Sequence, residues 1–278
     1  MCKMYLLVAG LCLGLSGMAQ TDSSASQEKK PDTIRIGNLV IVKKSDGHYE
    51  NRDGSVSISK IKHNHRNVST NWLIVDLGFA NYNDKTNYTS AAAAGVVAPG
   101  LNKEKFNLRN GKSVDVNIWL FMQRLNLIGH VVNLKYGLGI ELNNYRYESP
   151  VYYDKQNNIF TQDVVRHYKK DKLAADYITI PMMLNFNFTP NNFYNKSFGF
   201  SAGVSAGYLY SSRLKMITNE DGKQKIHDDM YLRPFKISYI AELQLGPVKV
   251  YGSLATQSMF EKGLDQTPYN IGLRFSNW

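Results

Sequence analysis

Cysteine is almost absent: Cys2 and Cys12 are the only two in 278 residues. Both fall in an N-terminal segment patterned as a secretory signal, with Lys3 as the positive end and Met4 to Leu15 as the apolar run. Ser16-Gly17-Met18-Ala19 supplies a small-residue cleavage site before Gln20. Leu11, before Cys12, is too bulky for a lipoprotein-type site. The expected mature chain from Gln20 has no thiol, which excludes disulfides, thiolate catalysis and cysteine metal sites. Beyond the leader no stretch reaches the ~18 uncharged apolar residues that a membrane helix needs. Export without such a helix leaves secreted, periplasmic or outer-membrane destinations. Glycine-rich phosphate loops, nucleic-acid modules and paired catalytic carboxylates are also missing. The Gly137-Leu138-Gly139 run lies in a β-like segment with no helix after it, so it is no nucleotide loop.

The apolar share is a modest 43%, while 18 Tyr and 12 Phe suit membrane interfaces. Formal charge is +10, or +9 once Lys3 leaves with the leader. On an exported chain that charge points to anionic lipid headgroups or polysaccharide, not nucleic acid.

The expected organisation is a signal peptide over 1–19, a periplasmic leader and arm over 20–70, and a membrane domain over 71–278. Residues 20–33 are polar and end near a proline. Ile34 to Val42 and Ser55 to Ile61 are β-like runs, separated by the turn formers Asp46-Gly47 and Asp53-Gly54. Together they predict a hairpin with a long loop, and residues 34–61 are the surface expected to meet any periplasmic or envelope protein.

From Trp72 onward the pattern is regular. In Val132 to Asn143, Val132, Leu134, Tyr136, Leu138, Ile140 and Leu142 alternate with Asn133, Lys135, Gly137, Gly139, Glu141 and Asn143. Strict period two over that length predicts a strand with one apolar face, long enough to cross a bilayer when tilted. The same rhythm recurs from Leu73 to Ala80, Val114 to Gln123, Ile178 to Phe188, Phe198 to Tyr208, Phe235 to Leu245, Val248 to Ala255 and Tyr269 to Ser276. In the second of these eight strands Met122 falls on the apolar face, and Phe121 and Gln123 on the other. Long and short connections alternate, ending on the tight Gly246-Pro247 turn and an intermediate loop. Such ordering predicts an all-β, eight-stranded, antiparallel up-and-down transmembrane barrel with short periplasmic turns and long external loops.

The Met18-Ala19-Gln20 region, the strand runs LKYGLGIEL and SFGFSAGVSAGYLY, and the closing PYNIGLRFSNW resemble the PorT-like outer-membrane β-barrel domain proteins common in Bacteroidetes. The resemblance covers roughly residues 70–278. It implies an eight-stranded barrel and brings no catalytic motif. Trp278 departs from the usual terminal aromatic by falling one residue out of phase with Phe275, which predicts either a bulge at Asn277 or a weak assembly signal.

With apolar faces toward lipid, the charges expected inside are Asp76, Asp115, Glu141 and Glu242 against Lys135, Lys236, Lys249 and Arg274. Balanced charge suits a narrow, filled barrel of paired side chains, and inward glycines are expected to make room for the long ones. A polar conduit is the functional alternative. Arg166-His167-Tyr168-Lys169-Lys170 is a basic run in an external loop; Arg166, His167, Lys169 and Lys170 are candidates for lipopolysaccharide phosphate or acidic glycan. The alternative is a solvated loop face. Tyr145, Tyr147, Tyr152, Tyr153, Tyr168, Tyr208 and Tyr210 are expected to form the aromatic girdle. His63 and His65 lack a third ligand for a metal site. His167 with Asp163 and Ser211 or Ser212 is the one arrangement that a hydrolase reading offers.

The expected protein is thus a non-enzymatic outer-membrane barrel without cofactor or metal, meeting outer-membrane lipid and lipopolysaccharide, and serving binding, adhesion or envelope accessory work. Its rivals are a component of a secretion or envelope-assembly machine, an outer-membrane lipid or peptide hydrolase, and a soluble lipocalin-like carrier.

Overall fold

The computed structural model describes residues 33–36, 39–42, 66–163, 165–190 and 197–276. The expected signal peptide, the run Ser55 to Ile61, His63, His65, Asn277 and Trp278 lie outside the described residues. The chain divides into two units, Met1–His63 and Asn64–Trp278. In the first, β1 (Thr33–Ile36) pairs antiparallel with β2 (Leu39–Val42), Ile34 opposite Ile41 and Ile36 opposite Leu39. The run Ile34 to Val42 therefore folds on itself instead of pairing with Ser55 to Ile61. Gly37-Asn38, between the strands in sequence, has two-residue hairpin composition.

The second unit holds β3 (Val68–Asp84), β4 (Val114–Ile128), β5 (Val132–Arg146), β6 (Val151–Asp154), β7 (Ile159–Gln162), β8 (Tyr168–Asn187), β9 (Phe198–Thr218), β10 (Gly222–His227), β11 (Phe235–Leu245), β12 (Val248–Ala255) and β13 (Gln266–Phe275). Eight of them close an antiparallel ring in the order β3-β4-β5-β8-β9-β11-β12-β13, with β13 pairing back onto β3. Each of the eight coincides with one period-two run of the sequence. Closure leaves no unpaired edge in the wall, as backbone in lipid requires.

Polarity is inside out. Leu77, Phe79, Ile180, Met182, Ile237 and Ile271 are exposed on the outer face, while Asp76, Asp115, Lys135, Glu242 and Arg274 are buried inside. A soluble carrier would reverse this.

Strict alternation is interrupted where β3 and β4 pair. Trp72 pairs with Phe121 and Ile74 with Trp119, with Leu73 and Leu120 outside the pairing between them, and against β5 Leu120 is an extra residue. Leu73 takes φ +54° there. Each extra residue reverses the phase beyond it. Met122 consequently turns inward, where it is fully buried with Ile74, Trp119 and Met183. Phe121 turns outward, its ring 5.9 Å from that of Trp72. Both positions are opposite to the expectation from uninterrupted alternation.

At one end the connections are short: residues 129–131, 188–197 and Gly246-Pro247. At the other the strands run on. β8 has 20 residues and β9 has 21, against the ~9–11 that cross a bilayer. The segments 145–175 and 211–233, which lie outside the period-two runs, thus carry paired strand, to which β10 adds an extra strand beside β9.

Candidate functional site

The lumen is occupied by a cross-barrel chain of ion pairs. From β13, the Arg274 guanidinium forks onto Asp76 of β3, Nε to Oδ1 at 2.8 Å and Nη2 to Oδ2 at 2.7 Å. Its Nη1 donates to Glu242 of β11 at 2.6 Å, and Glu242 accepts from Lys135 Nζ of β5 at 2.5 Å. Trp119 Nε1 also donates to Asp76, at 2.7 Å, and the guanidinium lies 5.5 Å from the Trp119 ring. A second group lies in the same lumen: Lys236 pairs with Glu141, Tyr251 donates its hydroxyl to Asp115, and Lys249 donates to Ser276. All eight charges named from the sequence point into the barrel.

A ninth charge joins them. Arg124 stands opposite Lys135 in the β4–β5 register, on the lumen side. It lies just past the period-two run that ends at Gln123, and the reversal at Leu120 carries no compositional signal.

Two lumen glycines make room for aromatic side chains. A Cβ on Gly139 would lie 2.6 Å from the Trp119 ring, and one on Gly78 would lie 2.6 Å from the Tyr251 hydroxyl. Aromatic rings, not the long charged side chains, therefore fill these notches. A void of about 20 Å³ remains beside Asn117, Trp119, Glu141, Tyr251 and Arg274, room for about one water molecule.

Over the long-loop end lies a cap with its own core. Phe160 of β7 is fully buried, with its ring 5.1 Å from Tyr153, 6.0 Å from Phe106 and 5.7 Å from Phe260. Val96, Val97, Leu173, Leu214, Met230, Leu232 and Leu264 complete a core drawn from all four long connections and the strand extensions. Tyr145, Tyr147 and Tyr153 belong to it, with Tyr152 and Tyr168 packed against it. These five therefore pack into the cap and are not girdle residues. Tyr208 and Tyr210 do face outward.

The basic run is divided. Arg166 is tied to Asp221 at 2.9 Å and Asp163 at 3.4 Å, and His167 Nδ1 to Glu220 at 2.9 Å. Lys169 sits in the bulge between Tyr168 and Lys170. Burial raises the Asp163 carboxyl, but the backbone N–H groups of Val165 and Arg166 and the Tyr168 hydroxyl hold it below its ordinary value. Ser212 donates to the Asp228 carbonyl. Among the described residues no hydrogen bond joins His167, Asp163, Ser211 and Ser212 to one another, and no group of three or more His, Cys, Asp or Glu converges as metal ligands.

Residues 72–265 match the family model described as outer membrane protein beta-barrel domain. The chain belongs to this family. As a member of the outer-membrane β-barrel domain family, its place is the outer membrane, and the exposed aliphatic belt is the surface lipid covers. No curated protein matches the chain.

Proposed function

We propose that this outer-membrane barrel is a non-conducting, non-enzymatic binding protein that uses its wall as an anchor and its cap as the working surface. One observation carries the reading. The lumen is bridged from wall to wall by the Asp76–Arg274–Glu242–Lys135 chain, and the void beside Arg274 measures about 20 Å³. Meanwhile the long connections form one packed core instead of loose strands around a pore mouth. The exported leader and the family rule of short inner turns and long outer loops support placing the cap outside the cell. Adhesion or envelope accessory work fits such a surface. A narrower place among PorT-like members, and with it a secretion role, rests on the glycine-rich strands and the closing segment. Crosslinking from residues 34–61 to a single periplasmic protein would favour that version.

The test is planar-bilayer recording of the refolded full chain. The expected record is flat at every voltage that the bilayer tolerates. Reproducible unit steps would overturn the reading and make the lumen a conduit.

A further inference from the structure

On the outer face of the strand extensions, basic side chains line up across four strands. Arg146 of β5 pairs with Lys172 of β8, Lys172 with Lys215 of β9, and Lys215 with Lys225 of β10. Residues in register share a face, so these form one row. The next row outward adds Lys170 and Lys223, each opposite Ile217. Like charges placed side by side in this way repel. Burial first, then Lys170, Lys215 and Arg213, hold the Lys172 ammonium down to about 8. Among the described residues none of these six cations forms an ion pair with a carboxylate: Arg146 donates to the Lys169 carbonyl and Lys172 to the Asn144 side chain. Arg166, Lys155 and Arg213, outside the row, each have an acid partner; what sets the six apart is that strand register holds them side by side. Asp176, lower on the same face, is tied to Arg213 and raises the Lys172 value less than its cationic neighbours lower it, so the crowded row is left to be balanced by an anion supplied from outside.

Its position says which. Along β8 the outer face reads Lys170, Lys172, Ala174, Asp176, Ile178, Ile180, Met182, so the row continues the lipid-facing stripe on the same side of the wall. Lys172 is six residues beyond Ile178. At ~3.3 Å per residue and a tilt of ~40°, that is roughly 15 Å above the top of the aliphatic belt. A glycerophospholipid headgroup zone extends only ~5–8 Å beyond the hydrocarbon. A taller headgroup, with sugars that carry phosphates, stands at the height of the row and beside it.

We propose that the face formed by Arg146, Lys170, Lys172, Lys215, Lys223 and Lys225 binds the phosphates of a glycolipid headgroup in the outer leaflet. The proposal rests on the reading above, which places the cap outside the cell. Charge-assisted contacts from several cations give such a face its affinity, with a steep dependence on salt.

The full chain is reconstituted in nanodiscs of zwitterionic lipid, and capture of a labelled lipid A that carries a phosphorylated inner-core oligosaccharide is measured against its phosphatase-treated form. The triple variant Lys172→Gln, Lys215→Gln, Lys225→Gln is compared with Lys85→Gln, Lys105→Gln, Lys112→Gln, each checked for folding by its unboiled gel mobility. At about tenfold or less per cation, the first triple variant is expected to weaken capture at least tenfold, and the second to change it less than twofold. Equal capture by the first triple variant and the parent, or equal capture of the phosphatase-treated lipid, would overturn the proposal. So would full competition by inorganic phosphate at the lipid's own concentration, which would make this a free-anion site. A silent bilayer record together with any of these results would discard the lipid site and leave the plugged, cap-bearing reading standing.

Discussion

On β8, Ile180 and Met182 face out while Thr179 and Asn185 are buried; farther along the same strand, Lys172 faces out while Leu173 is buried. On β9, Val204 faces lipid and Ser205 the lumen, whereas beyond the bulge Lys215 faces out and Met216 is buried. Outside stays outside and inside stays inside, but their polarity changes over near the Asp176–Arg213 pair. The solvent decides. Where lipid surrounds the wall, burying polar groups requires that they satisfy one another. Where water surrounds the cap, the ordinary hydrophobic effect returns. The molecule has two cores held by different forces, and each can be broken alone.

The largest expected effect is in the lumen. Arg274→Met removes the donor shared by Asp76 and Glu242, and breaking a buried pair costs about 3–5 kcal/mol. The folded, unboiled band should disappear at a denaturant concentration where the parent remains folded. An unchanged midpoint would mean that the lumen chain does not hold the barrel.

Phe160→Ala should damage the other core. Truncating a fully buried phenylalanine costs about 3 kcal/mol or more, here confined to the cap. Limited proteolysis should then cut within the long connections while the barrel keeps its gel mobility. Loss of that mobility would show that the two cores fold as one.

The smallest effect is electrostatic. The Glu220 carboxyl is held below its ordinary value first by the His167 side chain and then by backbone N–H groups, among them that of His167. A depressed acid contributes stability that is present above its unfolded value and lost as pH falls through its folded one. The His167 amide, which donates to both Glu220 oxygens, should therefore keep its protection from exchange at pH 7 and lose it below pH ~4. Parent and Glu220→Gln should differ above that window and converge below it.

The membrane half of the fold was legible because lipid on one face and a polar lumen on the other impose period two on every strand. The lumen charges followed from that phase, save Arg124, which the extra residue Leu120 turns inward without any mark in composition. The cap was not legible. Its tyrosines lie outside the regular runs, and an aromatic near a strand end suits a girdle and a core equally. The basic row was hidden for another reason: Arg146, Lys172, Lys215 and Lys225 are far apart in sequence and meet only through strand register.

The β8–β9 ladder runs from Tyr168 opposite Thr218 to Asn187 opposite Gly199, interrupted by two bulges. A tug on the cap along these strands loads that whole ladder in shear, so its hydrogen bonds resist together. The β6–β7 hairpin, held by four residue pairs, would peel one bond at a time. A particle caught on the outward row therefore hangs from the barrel wall itself, and the tether is as strong as the anchor.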